Sequence, residues 1–228
     1  MPVAGRQTEQ RNQAIAAAYA VVLGKVSGYP RIAERPELAG DLDDAPRYVQ
    51  QFRYRSDPAQ LEAGVAEPAQ LLRVQFDANA VMRVLRQHRL PIWGSTRPAV
   101  LVWLGLEQGG RRNLASADAE PKAWAALQRG AEARGLPLLL PLFDLEDHSQ
   151  LQAGDLWGDF EPRIRAASAR YAPDAILVVA ASQGRDWRLR WTLYQDDDKT
   201  EWTTAGDLER ALAAGVERSA DVLVARYA

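Results

Sequence analysis

Asp144, Glu146, Asp147 and His148 are the residues whose types and spacing come closest to a chemical site. Three carboxylates and an imidazole at the end of an apolar stretch could hold a divalent cation, or supply an acid and a base. Their spacing is neither HExxH nor that of an acidic calcium loop. A solvated acidic turn, with Asp147 as its cap, accounts for the same residues. Asp196, Asp197 and Asp198 form a second acidic run. Adjacent carboxylates point in different directions, and tight turns favour Asp for its local hydrogen bonds. Arg83, Arg86, Arg89 and Arg97, with His88, make the clearest basic group and could meet phosphates or an acidic partner. The first three also read as the wet face of an amphipathic helix, with His88 continuing its apolar stripe as a buried, hydrogen-bonded imidazole. Ser95 and Ser182 lie outside any GxSxG elbow. With two His in the chain, a Ser-His-Asp triad would have to use His88 or His148. Gly109-Gly110 has no phosphate-loop pattern and reads as a hairpin turn. Trp93 and Trp157 each precede Gly in expected loops. A large aromatic there serves either as an interface anchor or as a plug at the end of the core.

The composition narrows the classes. The chain has 228 residues, with 28 Lys and Arg against 30 Asp and Glu, 47% hydrophobic residues and no Cys. That balance is ordinary for a globular chain and excludes a fibrous or disordered one. No stretch approaches the roughly 18 apolar residues of a membrane helix. A net charge of -2 opposes a dedicated nucleic-acid binder, which is usually basic. Without Cys there are no thiol nucleophiles, disulfides or Cys-ligated metals. The first residues are too short and too polar for a signal peptide, so either the protein is cytosolic or Met1 was added to a mature, secreted chain.

The elements that must position these residues follow from periodicity. A helix should start near Thr8, carry Ile15, Tyr19, Val22 and Val26 inward, and stop at Gly28 before Pro30. Residues 29–46 read as a connector. Tyr48 to Arg55 is a strand with Tyr48, Phe52 and Tyr54 on one face and Arg53 and Arg55 on the other. Residues 56–69 form a turn-rich loop, and Leu71 to Phe76 is the next strand. Asp77 caps a helix with Val81, Val84, Leu85 and His88 inward, ended by Pro91. The second half begins with the doubly apolar strand Ala99 to Leu104. A helix from Pro121 to Gly135 and an irregular or edge stretch at Leu136 to Phe143 follow; Pro137 and Pro141 each remove a ladder donor. A helix from about Asp159 points Phe160, Ile164, Ala167 and Tyr171 inward. The strands Ala175–Ala181, Trp187–Tyr194 and Thr200–Thr204 come next. The middle one has a wet face of Arg188, Arg190, Thr192 and Tyr194. The last helix carries Leu208, Leu212, Val216, Leu223 and Tyr227. The expected fold is α/β (α+β): two α/β units, 1–95 and 96–228, the second a mixed sheet of order β-α-β-α-β-β-β-α.

Four landmarks carry a family resemblance. They are Asp44 to Gln51, then Val74-Gln75-Phe76-Asp77 with Leu90 to Gly94 and Arg97 to Trp103, then Leu139 to Asp147, and finally Asp155-Leu156-Trp157-Gly158 with Ala169-Arg170-Tyr171 and Asp174 to Val178. In this order they resemble the proteobacterial envelope family catalogued as domain of unknown function 2066, over nearly the whole chain. The second unit is also similar in element order to TolB amino-terminal-like domains. The resemblance implies a periplasmic protein whose signal peptide has been removed, and it carries no catalytic residue.

The expected function is a non-enzymatic envelope protein-interaction module. A sheet edge with Trp93, Trp157 and Arg97 would meet a protein partner or a second copy. The expectation includes no cofactor, no metal, no nucleic acid and no transmembrane segment. The alternative is a small metal-assisted hydrolase built on the acidic turn at 144–148.

Overall fold

The computed structural model describes residues 2–3, 7–56, 70–94 and 96–227. The chain is mixed α/β and divides into two compact units, Met1–Gly94 and Ser95–Tyr227. Apart from Ser56, the loop expected at 56–69 lies outside the described residues.

The first unit begins with strand β1 (Pro2–Val3) and helix α1 (Thr8–Ser27). Gly28 takes φ +77° and ends α1, a left-handed step that glycine makes without steric penalty. Ile15, Tyr19 and Leu23 are buried along α1. The expected connector is instead a run of short helical turns: 3-10 turns at Ile32–Glu34, Pro36–Leu38 and Ala45–Tyr48, with helix α2 (Ala39–Asp43) between them. They bury Ile32, Leu38 and Ala45 in the same core as α1. Turns of three to five residues are too short to leave a hydrophobic period in the sequence.

Strands β2 (Val49–Ser56) and β3 (Gln70–Phe76) then pair antiparallel, in a sheet of order β1-β3-β2. Helix α3 (Ala78–Gln87) starts at Asp77, whose carboxylate accepts from the N–H groups of Asn79 and Ala80. It stops before Pro91 is reached. Arg89 takes φ +53°, and the N–H of Leu90 donates to the carbonyl of Leu85 at 2.8 Å. That closure satisfies an end carbonyl and turns Leu90 into the core,.

The second unit holds β4 (Val100–Gln108), β5 (Arg111–Leu114), α4 (Pro121–Arg134), β6 (Leu138–Leu139), α5 (Leu145–Gln150), α6 (Ala153–Gly158), α7 (Glu161–Ser168), β7 (Ala175–Gln183), β8 (Trp187–Gln195), β9 (Asp198–Gly206) and α8 (Leu208–Tyr227). Its sheet runs β5-β4-β7-β8-β9, with β6 on β4. The β4–β7 and β4–β6 pairs are parallel; the others are antiparallel. The order therefore gains β5, α5 and α6 over the expected one. β5 is short and polar, so only its Gly109-Gly110 turn marks it. The other two are six-residue helices.

The strand β8 corrects a second expectation. Its supposed wet face is wet only at its start: Arg188 is exposed and Arg190 half-buried, while Thr192 and Tyr194 are 2% and 1% exposed. Tyr194 packs with Leu101, Trp103, Ile176 and Val178 against Leu156, Ile164 and Ala167 of α6 and α7. The opposite face buries Leu189, Trp191 and Leu193, with Trp191 against Gly215 of α8. Phe160, expected inward, is 54% exposed, because α7 begins at Glu161, two residues later than expected, and Phe160 takes its N-cap position.

Candidate functional site

The acidic turn is built around Arg170. Asp144 caps α5, its Oδ1 accepting from the N–H of Asp147 at 3.0 Å. The Arg170 guanidinium forks onto both oxygens of Asp144 at 2.8 and 2.9 Å. It also lies 3.4 Å from Glu146 and 3.3 Å from Asp147. Asp147, expected as an exposed cap, is 1% exposed. Its Oδ2 accepts from the Tyr171 hydroxyl at 2.6 Å and the Phe143 N–H at 2.8 Å. Arg170 holds the Asp144 carboxyl down to about 2, helped by the Asp147 N–H. Burial, and then the bond to Asp147, pushes the Tyr171 hydroxyl up. His148 is exposed and shares no hydrogen bond with these carboxylates among the described residues. The arrangement binds a turn together: a cation would have to displace a guanidinium that already satisfies it.

Trp157 lies in α6, not in a loop. Its half-buried indole donates from Nε1 to Ser182 Oγ at 3.1 Å, and Arg112 sits over the ring, 4.9 Å from its centroid. The ring also covers Gly105 of β4, where a Cβ would fall 2.6 Å from a ring atom. Ser182 in turn donates to Glu107 Oε2 at 2.7 Å. That bond, together with Arg112, keeps the Glu107 carboxyl below its usual range. Ser182 thus faces a carboxylate and an indole, with no imidazole to activate it. Arg190 donates to the carbonyls of Leu156 and Trp157, which ties the end of α6 to β8.

Trp93 is 1% exposed, and its backbone N–H donates to the carbonyl of Val26 at 2.7 Å. Arg97 donates from Nη1 to the carbonyls of Arg134 at 3.0 Å and Gly135 at 2.5 Å. It closes the C-terminal end of α4, where carbonyls lack helical partners. Burial lowers its pKa. His88 lies at the end of α3, half-buried, with Nε2 2.8 Å from Asp41 Oδ2. Asp41 Oδ1 accepts from the Tyr48 hydroxyl at 2.7 Å. In the second acidic run, Asp196 and Asp198 both pair with Arg226.

A second set of exposed arginines stands on the outer face of the first unit's sheet, in addition to Arg83 and Arg86 of α3 and Arg89 just after it, which are exposed. The ladder sets Gln51 opposite Gln75, Arg53 opposite Arg73, and Arg55 opposite Leu71. The other face turns Tyr54, Leu72 and Val74 toward the core. Gln51, Arg53, Arg55, Arg73 and Gln75 are exposed and line one shallow concavity. No carboxylate pairs with these three arginines among the described residues. β2 is the outer strand of its sheet. A groove along it is lined by Arg11, Asn12, Ile15, Pro46, Val49 and Phe52. The charge of the whole chain hides this asymmetry. Residues 1–94 hold 12 Lys and Arg against 10 Asp and Glu; the remainder holds 16 against 20. The alternation of β2 places Arg53 and Arg55 on one face, but only the register adds Arg73.

No curated protein matches the chain. The resemblance to domain of unknown function 2066 is overturned, because a different family model matches, and no likeness to TolB amino-terminal-like domains is found. The periplasmic location and the removed leader rested on that resemblance and have no other support. What the chain is similar to, over residues 1–94, is the family described as Domain of unknown function (DUF8605), and the matched stretch ends at Gly94, the last residue of the first unit.

Proposed function

We propose that the protein is a non-enzymatic binding module that engages a protein partner through the outer face and outer strand of its N-terminal sheet. One observation carries the reading: Arg53, Arg55 and Arg73 stand together on an exposed face without a carboxylate among the described residues. Guanidiniums left open in this way suit charge-assisted recognition of carboxylates. The groups that would serve an enzyme support it from the other side. Asp144 and Asp147 are held by Arg170 and Tyr171, and Ser182 is held by Glu107 and Trp157.

The test places a photo-crosslinking side chain at Gln75 and, as a control, at Ala214 of α8, in the native host. The expected result is a discrete, salt-sensitive adduct from position 75 that disappears with Arg73→Glu. Equal labelling from both positions would defeat the assignment of this face. So would a metal-dependent hydrolase activity lost in Asp147→Asn.

A further inference from the structure

We infer that the partner segment is an extended peptide that adds as a further strand along the outer edge of β2, with acidic side chains at alternate positions. This inference rests on the reading of the N-terminal sheet as the binding face.

β2 runs for eight residues and, among the described strands, pairs with β3 through Val49–Ser56. Its other edge therefore presents backbone donors and acceptors, a ready template for another strand. The edge contains no proline, so its donors are intact. The ladder is irregular between Val49 and Gln51 and continuous from Gln51 to Ser56. The stretch from Gln51 to Ser56 is the natural length for an added strand.

The two faces of that strand would meet different chemistry. Arg53 and Arg55 are two residues apart, roughly 6.7 Å along a strand, and an added strand lies about 4.8 Å away. Carboxylates at alternate positions repeat at the same spacing and come beside both guanidiniums, with Arg73 behind them on β3. Side chains on the alternate positions turn the other way, over the groove with Ile15, Val49 and Phe52. Phe52 is 42% exposed and has Arg11 5.4 Å from its ring centroid. The segment that fits alternates acidic and apolar residues. A second copy of β2 fits poorly, because pairing two such edges would bring arginines against arginines, and like charges across a ladder are unfavourable.

The test uses the full chain and the synthetic peptide Ac-Glu-Val-Glu-Ile-Glu-Val-Glu-NH2. Binding is followed by fluorescence anisotropy, and hydrogen exchange is read at the backbone amides of β2. Saturable binding with slowed exchange between Gln51 and Ser56 is expected. An Arg53→Glu, Arg55→Glu variant should weaken binding at least tenfold and should instead bind the peptide with Lys at each Glu position. A peptide N-methylated at alternate amides should fail to bind, and this control requires no altered protein. If the N-methylated peptide binds as well as the parent, or if twelve-residue oligothymidylate binds equally with no change in β2 exchange, strand addition is wrong while an anion-binding face survives. If neither probe binds and position 75 yields no adduct, the face is not a binding surface and both readings fall.

Discussion

Gly215→Ala isolates how closely α8 is seated on the sheet. In an exposed helix interior the change would gain about 1 kcal/mol, because alanine is the better helix former. Here the new Cβ would stand 1.9 Å from Trp191 Cζ2 and 2.0 Å from Cε2. Apolar carbons pack at about 3.5–4.0 Å, so ring or helix must retreat by roughly 1.5 Å. Neither is free to do so. Trp191 is 0% exposed, donates from Nε1 to Thr204 Oγ1 at 2.9 Å, and stacks on Trp202 at 5.9 Å with ring planes 5° apart. Thr204 in turn donates to the carbonyl of Ala211 in α8. The helix is also pressed against α4, where a Cβ on Gly130 would lie 2.9 Å from the Ala213 carbonyl oxygen. Overpacking costs about 1–3 kcal/mol, and this site belongs at the upper end. After the helix-propensity gain, a net loss of about 2 kcal/mol is expected. It should read as a lowered urea midpoint at constant slope, with a changed near-ultraviolet signal from the stacked indoles. Gly154→Ala in α6 meets open space and should be neutral or gain up to about 1 kcal/mol. Trp191→Phe removes the clashing atoms, so Gly215→Ala should cost much less on that background. A Gly215→Ala protein as stable as the parent, with an unchanged indole signal, would refute the packing.

Two further outcomes test the second unit. The Asp144 carboxyl titrates at about 2 in the folded chain, below its ordinary 3.8, so its contribution is complete above pH 4 and disappears as pH falls toward 2. Asp144→Asn should therefore be less stable at pH 7, and its stability curve should meet the parent's near pH 2; parallel curves across that window would show that the pairing with Arg170 contributes nothing. Trp157→Ala opens a void over Gly105 and should cost about 3 kcal/mol, the low end for an aromatic truncation because the ring is half-buried; unchanged stability with loss of the crosslinked partner would make Trp157 an anchor after all.

The sequence shows its strongest features where a signal is local and long. The Gly28 stop, the Asp77 cap and the apolar strand at Val100 each depend on residues within a few positions. The two prolines at 137 and 141 correctly exclude a full strand, and only Leu138–Leu139 pairs, at the margin of β4. What stays hidden depends on distant partners. Asp147 looks like a surface cap until Tyr171, 24 positions later, reaches it. Trp157 looks like a loop residue because a six-residue helix has no readable period. The wet face assigned to β8 holds at Arg188 and fails beyond it for a related reason: Arg190 and Tyr194 are polar in type, but one satisfies carbonyls of α6 and the other bonds to Asp159.

The meaning of an arginine in this chain is therefore set by what the fold brings to it. Arg97, Arg170 and Arg190 each meet acceptors between 23 and 38 positions away, at helix ends or on the acidic turn. Those contacts supply what unsatisfied carbonyls and carboxylates would otherwise lack, so the residues belong to the architecture however reactive the list looks. Arg53, Arg55 and Arg73 are the same residue type on a regular strand pair, and the register gives them glutamines and one another. Like charges set opposite each other across a ladder are unfavourable. An anionic partner laid along β2 would turn that repulsion into attraction, which is why the open face, and not the acidic turn, is where binding should be sought.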